Sequence, residues 1–255
     1  MRYAVAISAK RSPPPDFERT PMTDPNLPYT IAVWLIPLVI AIVFHEVAHG
    51  YVARLFGDHT AERLGRLTLN PLRHVDPIGT VVLPMVLAIA HAPIFGWAKP
   101  VPVDARRMRN PRRDMVLVAL AGPATNFVLA TLTALTLAGL LFLLHGVPAP
   151  VPPFTLSRFA VDTLGNFLQV NVFLGIFNLI PLPPFDGGHV VQGLLPRAAA
   201  IHYAKLARYG FPLLIVLLFV LPMISPQADI VRRFVAPIAG AATDFFFGIA
   251  NLGAA

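Results

Sequence analysis

The chain contains no cysteine. That absence rules out disulfides and removes thiolate from the possible metal ligands, leaving histidine, aspartate and glutamate. Charge is also scarce. Only 13% of the 255 residues are Asp, Glu, Lys or Arg, against about 25% in an ordinary soluble domain. No polar stretch reaches the ~50 residues that an independently folding soluble domain needs. Hydrophobic residues make up 56% of the chain and gather in long runs. These features predict an all-α polytopic membrane protein in contact with a lipid bilayer.

Acids are the scarcer sign, 13 against 20 Lys and Arg, for a net charge of +7. Such an excess suits nucleic acid, but here the basic residues bunch at the ends of apolar runs, as they do in cytoplasmic loops of membrane proteins. No nucleic-acid partner is expected.

Residues 1–29, with Ser12-Pro13-Pro14-Pro15, read as a flexible N-terminal tail. Its apolar start stops at Lys10-Arg11, too short for a signal-peptide core. Residues 30–190 read as the working core and 191–255 as a C-terminal helical hairpin. About five transmembrane helices are expected. The first starts between Pro28 and Ile31 and ends near Leu55, and the others cover 115–144, 164–185, 209–224 and 234–251. Arg54, Arg63, Arg66 and Arg73 follow the first helix and place its C-terminal end in the cytoplasm. Arg232 and Arg233 fit the resulting alternation poorly.

The apolar stretch 78–94 would reach only about 25 Å as a helix, short of the ~30 Å hydrocarbon core. A full crossing there would also export the most basic stretch of the protein, Lys99 to Arg113. Residues 78–98 are therefore expected to form a re-entrant segment. Its exit, Gly96-Trp97-Ala98-Lys99-Pro100-Val101-Pro102-Val103, reads as a short extended strand, because prolines at alternate positions forbid a helix. Pro100 and Pro102 block one edge, while the amides of Lys99, Val101 and Val103 would keep the other open for a substrate strand. A proline-rich loop packed on the helices is the competing reading.

The residues with the most chemistry are His45-Glu46-Val47-Ala48-His49. Two histidines four apart share one face of a helix, and this spacing beside a glutamate is that of zinc hydrolases, with imidazoles holding the metal and the carboxylate as general base. A charge at the bilayer centre costs about 2.5 kcal/mol or more, so this group calls for a cation. A catalytic zinc wants a third ligand. Asp186 is the best candidate, at the end of a span that runs in the same direction as the first helix. Asp58, His59, Glu62, His74 and Asp76 are rivals in a polar loop, where caps and turns give them easier roles. Asn126 is either a packing hydrogen bond or a cavity residue that meets substrate. His91, His145, His189 and His202 read as lone structural or interfacial histidines.

Taken together, His45-Glu46-Val47-Ala48-His49 and Asn178 through Phe185-Asp186-Gly187 resemble the site-2 proteases, the intramembrane zinc metalloproteases. Phe185 stands where that family commonly has leucine, an apolar exchange. Arg66-Leu67-Thr68-Leu69-Asn70-Pro71, the Gly96–Val103 stretch and Ala121-Gly122-Pro123 resemble a compact bacterial branch without PDZ or CBS domains. The resemblance implies one Zn2+ per chain held by His45, His49 and Asp186, with Glu46 as base and Asn178 as oxyanion donor. It further implies a transmembrane protein substrate and a site toward the cytoplasmic side of a bacterial membrane. A non-proteolytic scaffold or carrier that retains a metal site is the alternative.

Overall fold

The computed structural model describes residues 26–89, 96–144, 155–225, 227 and 229–254. Most of the expected tail, the middle of the 78–98 segment with His91, and the loop with His145 lie outside these residues. Ten α-helical elements follow in order: α1 Leu27–Leu55, α2 Thr60–Arg63, α3 Leu83–Ile89, α4 Pro111–Leu143, α5 Leu156–Asn178, α6 Asp186–Leu194, α7 Arg197–Leu206, α8 Gly210–Ile215, α9 Leu221–Ile224 and α10 Ala236–Asn251. Among the described residues, four helices are each long and apolar enough to cross a membrane: α1, α4, α5 and the continuous helix from Val231 that contains α10.

The core combines small residues with a few large apolar ones, while many other large apolar side chains face outward. Ala130 and Ala134 of α4 meet Leu168 and Val172 of α5, with Phe246 and Phe247 of α10 packed alongside. Meanwhile Leu35, Ile40, Val128, Leu132, Phe142 and Phe245 are exposed. Lipid tails are as apolar as leucine, so helices in a bilayer gain by close backbone approach and internal hydrogen bonds. The pattern is that of an integral membrane protein.

The packing also fixes the direction of the last helix. Ala242 lies against the Ala130–Ala134 cluster, while Ala250 meets Leu137 and Leu141 further along α4. Thus α10 runs parallel to α4, and Arg232 and Arg233 lie toward the same end as Arg112 and Arg113. The misfit expected of that pair disappears. The 197–224 stretch is a helix pair bent by 67°, and counted as one broken span it brings the described residues to the expected five.

Around the stretch expected to be re-entrant, the Trp97 amide donates to the Gly79 carbonyl at 3.2 Å and the Thr80 hydroxyl to the Trp97 carbonyl at 2.8 Å. Its two ends therefore meet. The short extended strand is not formed: no strand occurs among the described residues, and 96–103 is irregular. The reason lies in the destinations of the amides. Lys99 N–H donates to the His74 carbonyl at 2.8 Å and Val101 N–H to the Glu46 carboxylate at 2.8 Å. Partners on two separate elements make a packed loop instead of a ladder edge, so the loop reading holds and the open edge does not.

Beneath the site, the buried Asp58 carboxylate accepts hydrogen bonds from the Thr60 amide and hydroxyl and from the Asp104 amide, the last at 2.6 Å. It thereby ties the end of α1 to the approach to α4. Burial opposes its charge, but these donors outweigh that and hold the Asp58 carboxyl below its ordinary value. A lowered folded-state pKa gives stability that is present above the ordinary aspartate value and fades as pH falls through the folded one. Asp58→Ala should therefore cost about 1–3 kcal/mol at neutral pH, and the gap from wild type should shrink on acidification below the ordinary aspartate range. Unfolding of both proteins in micelles across pH measures this.

Candidate active site

His45 and His49 project from α1 toward α4, both buried. His49 Nδ1 lies 2.7 Å from the Val118 carbonyl, which can only accept, so that nitrogen carries the proton. The tautomer of His45 follows from a longer chain. Asn171 Nδ2 donates to the Phe167 carbonyl, Asn126 Nδ2 donates to Asn171 Oδ1 at 2.8 Å, and Asn126 Oδ1 is left to accept from His45 Nδ1 at 2.6 Å. Two backbone carbonyls thus assign both tautomers through the hydrogen-bond network.

Both Nε2 atoms therefore present lone pairs, 3.1 Å from each other. Asp186 Oδ2 completes the group at 3.1 Å from His45 Nε2 and 3.4 Å from His49 Nε2. That oxygen is buried and receives no ordinary hydrogen bond among the described residues. Three acceptors face one point with no proton to share, an arrangement that is repulsive unless a cation lies among them. Two imidazoles and a carboxylate fit a tetrahedral zinc that keeps one position open, and these residues form a group able to hold a metal ion.

Two glycines permit this geometry. A Cβ at Gly122 of α4 would lie 2.5 Å from His45 Cε1 and 2.5 Å from His49 Nε2. At Gly187 a Cβ would lie 2.4 Å from the Leu179 carbonyl oxygen, within the turn that brings the start of α6 back onto the end of α5 and so delivers Asp186. The depth matches too. His45 lies ten residues before the end of α1 and Gly122 eleven after the start of α4, each about 15 Å along its helix.

The remaining predicted residues fall in different places. Glu46, half-buried, follows His45 and accepts from the Val101 amide. Asn126 is fully buried and hydrogen-bonds His45 and Asn171, the contacts of a residue that positions a ring. Lys99 is spent on the loop, its carbonyl accepting from Arg66 at 2.9 Å. Val101 is buried through its side chain, whereas Val103 lines an open recess beside the site. Asn178 Nδ2 donates to the Leu174 carbonyl of its own helix at 3.0 Å. The rivals to Asp186 are engaged elsewhere: His59 pairs with Glu62, His74 meets the Thr68 carbonyl, and Asp76 caps Ile78 and Gly79. Sequence reasoning missed the supports, Val118, Gly122 and Asn171. Only the Ala121-Gly122-Pro123 run, with its small residues, hinted at a close approach.

Removing a support should loosen the metal without deleting a ligand. Asn126→Ala should weaken zinc binding by about 10–100-fold, and Gly122→Ala by at least as much. Zinc content of purified variants after chelator titration measures both.

The comparisons agree with this geometry. The model of peptidase family M50 matches residues 33–162 and 154–221. "Putative zinc metalloprotease YwhC" of Bacillus subtilis is 38% identical over 200 residues, covering 77% of this chain and 82% of that protein. "Putative zinc metalloprotease Rip2" of Mycolicibacterium smegmatis is 35% identical over 74% of this chain and 65% of its own length. "Zinc metalloprotease MJ0392" of Methanocaldococcus jannaschii is 25% identical over 65% of this chain and 35% of its own. No solved structure is significantly similar. With two imidazoles and a carboxylate converging inside a helical membrane core, the chain belongs to peptidase family M50, the site-2 protease family of zinc metalloproteases.

Proposed function

We propose that this metalloprotease hydrolyses peptide bonds in or next to transmembrane segments of other membrane proteins, from a site nearer the cytoplasmic face. The observation that carries the reading is the cluster of three acceptors about 15 Å inside the basic end of a lipid-facing bundle. The positive-inside rule assigns that end to the cytoplasm, and the meeting ends of residues 79–97 suit a re-entrant segment on the same side. The working core would then be residues 30–190, with 191–255 packed against it as support.

His45, His49 and Asp186 would hold the zinc, which supplies Lewis acidity that acidifies water and polarises a carbonyl. Glu46 takes the proton of the attacking water and returns it to the leaving amine. Val101 fixes the Glu46 carboxylate through its amide, so the base is aimed before substrate arrives. Asn178 is the proposed donor to the oxyanion of the tetrahedral intermediate, through the Nδ2 hydrogen left over from its bond to the Leu174 carbonyl. A helical substrate must unwind locally, because its carbonyls are otherwise hydrogen-bonded and shielded.

Glu46→Gln should keep stoichiometric zinc and lose about 10²–10⁴-fold in cleavage rate. Metal analysis, paired with cleavage of single-span reporters in nanodiscs, tests this; undiminished cleavage by the variant would sink the mechanism. Asn178→Ala should lower kcat by about 10²–10³-fold with zinc retained, read in the same assay.

A further inference from the structure

Beside the metal cluster, α6, α7 and the start of α4 enclose an open recess of about 630 Å³, within the size range of ligand pockets. Its walls connect to the site in two ways. Val103 lines it and lies two residues beyond Val101, whose amide holds Glu46. His189 also lines it and lies three residues beyond Asp186, one turn along α6. Most of the lining is apolar, including Met115 and Ala204, yet two arginines are among it and no acid is.

The two arginines differ in how they are held. Arg112 is braced, its Nε donating to the Gly193 carbonyl at 2.8 Å and a second nitrogen to the Leu195 carbonyl. Carbonyls orient the guanidinium without neutralising it. Arg197, at the first turn of α7, is exposed, and among the described residues neither arginine forms an ion pair with a carboxylate. A recess with apolar walls and two uncompensated cations complements an apolar segment that ends in negative charge.

We propose that this recess receives the part of the substrate chain flanking the scissile bond on the basic side of the bundle, and that it selects apolar residues followed by an acidic residue. The inference rests on the proteolytic reading of the adjacent site. The peptide is favoured over a lipid because two lining residues, Val103 and His189, lie two and three residues along the chain from Val101, which holds Glu46, and from Asp186. A chain lying across that centre continues into this recess. Arg112 and Arg197 act on binding and register, leaving Glu46 and the zinc ligands to the chemistry.

The test uses the full zinc-loaded chain in phosphatidylcholine nanodiscs and two fluorescein-labelled single-span peptides. They are identical except for Glu-Glu or Lys-Lys after the apolar stretch. Binding is measured with the Glu46→Gln chain, so no turnover intervenes. The acidic peptide should bind about tenfold more tightly, and Arg112→Glu/Arg197→Glu should reverse the preference. Because Arg112 also braces α6, Arg197→Glu alone serves as the second variant and should erase most of the preference. Equal affinities, or a preference that ignores both variants, would overturn the proposal. So would a response of the variants to added phosphatidylglycerol alone, which would make the occupant a lipid. Cleavage by wild type separates the two readings. If the peptides are cut and Glu46→Gln is inert while flank charge has no effect, only the recess proposal falls. If charge selects binding but neither peptide is cut, the protease reading falls and the recess stands as a binding site.

Discussion

Three lone-pair donors, His45 Nε2, His49 Nε2 and Asp186 Oδ2, meet inside an apolar helical bundle with no proton to share, and the rest of the fold is arranged to make them meet. In water such a group would relax by turning outward to solvent. Here the packing of α1 against α4 and α5 keeps both imidazoles buried, and the outward faces of the helices are apolar. A cation is the one partner that satisfies all three atoms at once. The supporting residues make sense only in that light. The Val118 carbonyl and the Asn126–Asn171 relay hold each Nδ1 proton away from the cluster, and Gly122 lets the helices close over the rings.

How much of this was legible in the sequence depended on distance along the chain. His45, Glu46 and His49 are a local pattern, so one helix period suffices to place both imidazoles together. Asp186 could be reached by depth alone, since its span runs in the same direction as the first and ends on the same side. Asn126 was visible as a buried polar residue, but whether it faced substrate or a ligand ring depends on the rotation of α4, which sequence periodicity in a uniformly apolar helix does not encode. The end of the bundle at which Arg232 and Arg233 lie is a related case. Segment length does not give the direction of the last helix, which the pairing of Ala250 with Leu137 and Leu141 shows.

The proline-rich exit at 96–103 shows the limit of reasoning from backbone chemistry. Pro100 and Pro102 do forbid a ladder on their own edge, as expected. The other edge failed as a strand because its amides found better acceptors than a ladder could supply, a helix-borne carboxylate at Val101 and a loop carbonyl at Lys99. A charged acceptor makes a hydrogen bond roughly twice as strong as a neutral one. The expectation of an open edge counted donors on one segment without asking what the facing helix offered.

That substitution has a mechanical consequence. Glu46 is positioned from two sides, by its place on α1 and by a loop whose geometry is set through Arg66 and His74 on the Lys99 peptide. Those two residues lie in the polar stretch that follows α1, so the helix bearing the histidines also anchors, through its own continuation, the loop that holds the Glu46 carboxylate. The two histidines and the proposed base, Glu46, therefore share one support. A displacement of residues 66–74 would shift the carboxylate relative to the imidazoles without touching either. For a reaction that needs water placed between a base and a Lewis acid, that relative position is the quantity to preserve, and the loop preserves it by spending its amides on the enzyme itself.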